Sequence, residues 1–397
     1  MEYTDYFYNN YDFFSNVIDL NCAQIIKAGE RTNGDVYLVK NNQKDSRYLV
    51  VLADGLGSGI KANVLATLTA TMIIQYLSEN IDVKKAAKII MKTLPKCKVR
   101  KLSYSTFTIL DINKKGLVKI LEYDNPDYLY ITKNNEIKEI HKKYIKLQPT
   151  VYRNRYLKYS ELTLNQNDKI VFYSDGVSQS ENSQNENRIK DYIKNYFKEN
   201  ENISSLNLSN HICGFALRND NYSAKDDIST CSLFYRQPKN LIILTGPPLE
   251  KKFDNYICQL TQSFPGKKVI CGGTTAKIFS READKKMYMS IETSKGNLPP
   301  VSKIEGVDLV TEGIITLNRV YEILLNNSPD EKRTPANILS EIILASDNIL
   351  FITGKNINIY NYEDNIPYEK GIRAIIVNKL KEVLENNYLK KVYIEYF

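Results

Sequence analysis

Five acidic residues in this chain sit where carboxylates can act together. Asp35 follows Gly34, Asp54 precedes Gly55, Asp175 precedes Gly176, and Asp226 and Asp227 stand side by side. Each lies at one end of a segment with strand character, and strand ends in a layered β fold collect along one edge. Carboxylates with backbone carbonyls and waters are the oxygen ligands that Mg²⁺ and Mn²⁺ prefer. A pair of such ions can orient a water, lower its pKa and stabilise an in-line phosphoryl displacement, with neither a histidine nor a covalent intermediate. The chain has only two histidines, His141 and His211, which leaves few candidates for zinc or His-based acid–base chemistry. A lone Asp-Gly is an ordinary hairpin signal and a lone Asp an ordinary helix cap. The argument for function rests on the joint pattern: an apolar strand followed by Asp-Gly twice, a glycine-rich run leading into a helix after the first, and an acidic pair opening the last strand.

The elements that must carry these acids can be read from periodicity. Residues 35–40 and 46–53 are apolar, β-branched runs around the polar turn 41–45, and predict a hairpin. After Asp54-Gly-Leu-Gly-Ser-Gly59 the pattern becomes helical over 61–77 and again over 83–94. Strand character returns at 104–111, 117–123, 128–132, 157–164 and 169–174, helix at 186–218 after a polar loop at 178–187, and strand at 228–235. Strand runs flanked by helix pairs predict a layered α+β domain over 1–237. From Pro238 the rhythm changes to buried strand, glycine turn and helix. A smaller α/β domain is expected over 238–397, with strands at 241–246, 268–271 and 391–397 and helices at 317–325, 336–344 and 371–386.

Composition narrows the class. At 397 residues the chain is long enough for two ordinary domains. With 43% hydrophobic and 25% charged residues it is globular, and no apolar run approaches the roughly 18 residues of a bilayer span. The acidic, aromatic start lacks the marks of a secretion signal, so a cytoplasmic location without membrane attachment is expected. Six scattered cysteines read as free buried thiols. The net charge of +8 comes from dispersed lysines rather than a basic block, which argues against a nucleic-acid partner.

At the acidic positions the sequence resembles the metal-dependent protein phosphatases (the protein phosphatase 2C superfamily), in the bacterial branch typified by stage II sporulation protein E. The resemblance covers about 28–236. Ala28-Gly-Glu-Arg-Thr-Asn-Gly-Asp35 looks like the segment ending in Gly-Asp, and Val50-Val-Leu-Ala-Asp-Gly-Leu-Gly-Ser-Gly59 like the Ser-Asp-Gly-Met-Gly-x-Gly motif. Asp168–Val177 resembles the next motif, and Asp226-Asp-Ile-Ser-Thr230 the closing Asp-Asp-x-Thr. The chain departs from the pattern with Ala53 for Ser, Gln166-Asn167 for Pro-Gly and Ser229 for Thr; Gln179-Ser180 stands where an acid often follows.

The resemblance implies a four-layer αββα sandwich and hydrolysis of phosphoserine or phosphothreonine on a partner protein, by water activated at two Mn²⁺ or Mg²⁺ ions. Carried over by position, Asp54 bridges both ions, Gly55 offers its carbonyl, Asp35 serves one ion, and Asp175 and Asp226 the other, with Asp227 as a further ligand. Asp54, Asp175 and Asp226 are then the indispensable catalytic set. The resemblance also implies a bacterial signalling protein, a homodimer by family analogy, and a helix at 61–77 whose shift could assemble or dismantle the site. The alternative is a non-catalytic, phosphoprotein-binding regulatory module on the same fold. Arg31 and Lys61 could contact a substrate anion, although solvated surface positions are the simpler reading. In the second domain, Val269-Ile-Cys-Gly-Gly-Thr-Thr275, Thr245-Gly-Pro-Pro248 and the acidic connection 297–313 carry no assigned role; the first two combine glycine turns with hydroxyls of the kind that bind anions through backbone N–H groups.

Overall fold

A computed structural model of the chain describes residues 6–7, 10–42, 47–93, 105–146, 156–179, 186–200, 203–289, 302–330, 334–355, 368–388 and 390–397. The turn at 43–45, Ser180, most of the polar loop at 178–187, Cys97 and the 297–301 part of the acidic connection lie outside the described residues. The chain divides into two compact units, one of residues 16–237 and one of residues 1–15 together with 238–397.

The first unit holds strands β1 (Val17–Ile25), β2 (Asp35–Asn42), β3 (Arg47–Gly55), β4 (Ser105–Asn113), β5 (Leu117–Tyr123), β6 (Leu129–Ile131), β7 (Ile137–Lys138), β8 (Lys143–Lys146), β9 (Tyr156–Thr163), β10 (Lys169–Tyr173) and β11 (Ile228–Arg236). Its helices are α1 (Gly59–Ser78), α2 (Val83–Thr93), the single turn α3 (Asp175–Ser178), α4 (Glu186–Glu199) and α5 (Ser205–Asn219). The strands form two antiparallel sheets, ordered β2-β3-β4-β5-β9-β8 and β1-β11-β10-β6-β7. β3 is apolar from Leu49 to Ala53 because both its faces are covered there. Val50 and Leu52 meet Phe172, Cys231 and Leu233 between the sheets, while Leu49, Val51 and Ala53 pack under α1 and α2. On the far side, Val171, Tyr173 and Ile228 pack against Ile189, Ile193, Leu208 and Ile212 of α4 and α5. Helix, sheet, sheet and helix layers follow one another, as expected.

Helix α1 is long and apolar enough in composition to span a membrane, where the sequence reading found no such run. In this fold its Ala62, Ala66, Ala70, Ile73 and Leu77 are buried, a spacing of three and four that puts one face on the sheet. β1 was not anticipated. Its polar Asp19 and Asn21 break the apolar pattern, but Ser205 satisfies both, donating to Asp19 at 2.6 Å and accepting from Asn21 at 2.6 Å, while Ile18, Leu20 and Cys22 fill the space between the sheets.

The second unit is a seven-stranded sheet of β12 (Asn240–Thr245), β13 (Lys267–Cys271), β14 (Met287–Met289), β15 (Ser302–Ile304), β16 (Leu309–Thr311), β17 (Asn348–Thr353) and β18 (Lys391–Tyr396), ordered β14-β15-β16-β13-β12-β17-β18. The five strands from β16 to β18 in that order are parallel. Helices α6 (Phe253–Ser263) and α7 (Gly273–Glu282) cover one face; α8 (Ile314–Asn326), α9 (Pro335–Leu344) and α10 (Tyr368–Tyr388) cover the other. Residues 1–15, assigned from sequence to the first domain, belong to this unit instead. Phe7 and Phe13 are buried with ring centroids 5.1 Å and 5.4 Å from Phe264, and Asn240 donates to the Phe13 carbonyl at 3.0 Å. The aromatic residues extend the core on the α6 face, and aromatic burial on this scale outweighs nearness in sequence.

Candidate active site

Antiparallel register brings the first two acids together. Asp35 opens β2 and Asp54 lies near the end of β3, and the two are direct cross-strand partners. Asp175 begins α3 immediately after β10, and Asp226 and Asp227 directly precede β11, the strand paired with β10. All five expected acids therefore sit at one edge of the sandwich.

Their charges work against one another. Burial pushes Asp35 up to about 7, and the Asp227 and Asp175 carboxylates add to the shift against hydrogen bonds from Ser229 and Ser174. Burial likewise holds Asp54 well above the usual carboxylate range, with further repulsion from Asp35, Asp175 and Asp226. Asp175 is raised by burial and then by Asp226, while its hydrogen bond with Asp54 pulls the other way. Asp54 and Asp175 thus share a hydrogen bond. A carboxyl whose folded-state pKa is raised favours the folded state below its unfolded value, and that advantage is lost as pH rises through the folded value. The metal-free chain is therefore expected to lose melting temperature between about pH 4 and about pH 7, the window of Asp35. Scanning calorimetry in EDTA checks this, and Asp35→Asn should flatten the profile.

Asp227 is engaged differently. Its carboxylate accepts from the Lys27 N–H at 3.1 Å and the Gly34 N–H at 2.9 Å, which ties the segment before Asp35 to the start of β11. The same segment is fixed to α1, where Ser58 donates to Glu30 at 2.8 Å and Asn63 donates to the Asn33 carbonyl at 2.8 Å. Two glycines permit this packing. A Cβ on Gly55 would lie 2.0 Å from the Ala62 carbonyl of α1, and one on Gly176 would lie 2.2 Å from the Asp227 carbonyl.

Sequence reasoning missed Lys27, whose ammonium lies 3.8 Å from the Asp226 carboxylate. No motif surrounds it, and only the fold of the β1–β2 connection brings it to the acids. Arg31 and Lys61, considered as anion contacts, are exposed. Asn167, standing in for glycine, adopts φ +70°, a left-handed conformation that Asn tolerates, so that departure preserves the turn before β10.

The donor set suits a hard divalent cation. It is all oxygen, buried at Asp35, and among the described residues the Asp35 Oδ2 has no hydrogen-bond partner. Among the described residues no three Asp, Glu, His or Cys side chains are gathered at the spacing of a closed ion cage, so what the fold supplies is the donors and their unbalanced charge.

The first unit is a four-layer sandwich with acids gathered at one edge, and solved structures similar to it include domains described as phosphatases of the PP2C type. Residues 44–234 match the family model described as Stage II sporulation protein E. Solved structures similar to the chain include the phosphatase domain with a fragment of the regulatory domain of SpoIIE from Bacillus subtilis, at 18% identity and TM-score 0.49. That match covers 56% of this chain and 65% of the other, less than two-thirds of its length. RsbX in complex with magnesium is similar at 20% identity and TM-score 0.40, over 55% of this chain and 95% of the other. The S. agalactiae serine/threonine phosphatase is similar at 14% identity and TM-score 0.40, over 55% and 100%. No curated protein matches the sequence.

Proposed function

We propose that the first unit hydrolyses phosphoserine or phosphothreonine on a partner protein, using two divalent ions, Mn²⁺ or Mg²⁺, held by Asp35, Asp54, Asp175, Asp226 and the Gly55 carbonyl. The observation that carries the reading is the gathering of Asp35, Asp54, Asp175 and Asp226 at one edge of the sandwich, where burial and like charge raise the first three carboxyls and two hard cations would relieve that burden. When bound, such ions supply positive charge to the transferring phosphoryl group and to the attacking water. The chain's own residues do the positioning. Asp54 lies opposite Asp35 and is hydrogen-bonded to Asp175, so it is the natural bridge. Asp227 acts through its two backbone contacts, holding Gly34 and hence Asp35 in place. Gln179 donates to Asp175 Oδ2 at 3.2 Å and orients that carboxylate.

Titration calorimetry of the full chain with Mn²⁺ tests the ion count. Two ions are expected, with at least one lost in Asp54→Asn. A chain that takes up no ions yet binds a phosphoserine peptide would replace this reading with that of a regulatory module. Lys27 competes for Asp226, so Lys27→Met is expected to tighten Mn²⁺ binding about two- to fivefold, the scale of a partly exposed ion pair. Weaker binding would instead assign Lys27 to holding the site together. A homodimer belongs to the same proposal. Ile60, Val64 and Leu68 form an exposed apolar stripe at i, i+4, i+8 on α1 that a second copy would cover, and the mass of the chain in solution checks it.

A further inference from the structure

We infer that Cys22 and Cys231 are the site of a reversible disulfide, formed when a peroxide oxidises Cys22, that links strand β1 to strand β11. Register builds the pair. The two strands run antiparallel with Cys22 directly opposite Cys231, so both side chains share one face, the one turned to the space between the sheets. Directly opposed residues of an antiparallel pair have Cα atoms about 4.5–5.5 Å apart, inside the range of about 4.4–6.8 Å that a disulfide spans. The sulfurs have already met: the Cys231 thiol donates to the Cys22 sulfur at 2.7 Å. A disulfide bond is about 2.05 Å long, so only a small further approach closes it.

The two thiols differ in the way the reaction needs. Cys22 is partly exposed, against the expectation that every cysteine is buried, whereas Cys231 is 0% exposed. Peroxide therefore meets Cys22 first. Burial, and then the hydrogen bond to Cys22, push the Cys231 thiol up, so Cys231 keeps its proton and presents it to the Cys22 sulfur. The remaining described cysteines are placed otherwise. Cys213 donates to the Ala23 carbonyl at 3.3 Å, Cys258 donates to the Phe279 carbonyl at 3.8 Å, and Cys271 accepts from Thr311 at 3.5 Å, and all three are buried.

The chemistry closes without a further reactant. The Cys22 thiolate attacks one oxygen of hydrogen peroxide, the O–O bond breaks, and Cys22 becomes a sulfenic acid. The hydroxide released takes up the proton that Cys22 gave up. The Cys231 sulfur then attacks the Cys22 sulfur, the S–O bond breaks, and the sulfenic hydroxyl leaves as water with the Cys231 proton. Two thiols lose two electrons and one peroxide becomes two waters. The bridge lies close to the acidic edge, because two residues along each strand Gln24 donates to the Ser229 Oγ at 2.9 Å, and Ser229 hydrogen-bonds Asp35. It fixes β11, which directly follows Asp226 and Asp227, to its neighbour. The inference does not depend on the phosphatase reading.

The test uses the full chain, reduced and then divided between hydrogen peroxide and buffer. Remaining thiols are alkylated with N-ethylmaleimide in denaturant, and the chain is digested without reductant. Mass spectrometry of the peroxide sample is expected to find the Cys22 and Cys231 peptides joined, lighter by two hydrogens and separated by dithiothreitol, with Cys213, Cys258 and Cys271 still alkylated. The bridge closes a loop over residues 22–231, so the oxidised chain should also run faster, as a monomer, on a non-reducing denaturing gel. In Cys231→Ala the sulfenic acid loses its partner and dimedone should trap it at Cys22; in Cys22→Ala the fast band should vanish. If either variant fails to fold by circular dichroism, the peptide map of the unsubstituted chain decides. Both cysteines still fully alkylated after peroxide, Cys22 bridged to another cysteine or to a second chain, or Cys22 carried to sulfinic acid with no bridge, overturns the inference.

Discussion

Asp54→Asn is expected to lower metal-dependent phosphatase turnover by a factor on the order of 10³ or more while leaving the metal-free chain at least as stable as before. The two halves of this result have one cause. Asp54 faces Asp35 across the β2–β3 ladder, hydrogen-bonds Asp175 and is repelled by Asp35, Asp175 and Asp226. An amide keeps the shape and much of the hydrogen bonding but removes the charge, so an ion loses its shared ligand and the empty cluster loses repulsion. Steady-state hydrolysis and thermal melting of the same preparation read both. A turnover loss accompanied by a large drop in melting temperature would mean that Asp54 is structural.

Gly55→Ala is expected to destabilise the first unit by about 1–3 kcal/mol or more, lowering its melting temperature by roughly 5–10 °C, and to reduce turnover by at least about tenfold. The added Cβ would meet the Ala62 carbonyl at 2.0 Å, the carbonyl carbon at 2.5 Å and the Ala62 Cα at 2.8 Å. All three are backbone, so the clash is relieved only by moving α1 away from the end of β3, beside Asp54. The same helix holds Ser58 to Glu30 and Asn63 to Asn33, so lifting it also loosens the segment that leads into Asp35. Gly214→Ala in α5 is the matched control. Its Cβ would meet only the flexible Arg218 side chain, at 3.6 Å, and alanine favours the helix by about 1 kcal/mol. Equal effects of the two substitutions on turnover would dissociate α1 from the site.

What the sequence made legible was what local pattern encodes. β3 is apolar at every position from Leu49 to Ala53 because both faces are buried, and the glycine after Asp54 signals a close backbone approach before the approaching helix is known. Elements that depend on distant partners were not legible. β1 looks polar until Ser205, 184 residues from Asn21, satisfies it. The aromatic start reads as part of the nearest domain until Phe264 and Tyr393 are seen to receive it. β17 was also missed, since only the short turn Ala345-Ser346-Asp347 separates its six residues from the apolar end of α9. At the site, the acids were identifiable by type and spacing, whereas Lys27 beside Asp226 and the two backbone amides on Asp227 arise from the path of one connection. Thr245, Cys271, Thr311 and Thr353 in the second unit have the same origin: four residues far apart in sequence acquire a common face through parallel register.

The most direct test of the central claim is release of phosphate from a phosphoserine peptide by the purified full chain, measured with Mn²⁺, with Mg²⁺ and with EDTA. Turnover that requires a divalent ion, is abolished by EDTA and is restored by excess Mn²⁺ is the predicted result. A folded chain that releases no phosphate with either ion, or that releases it equally well in EDTA, would contradict the account.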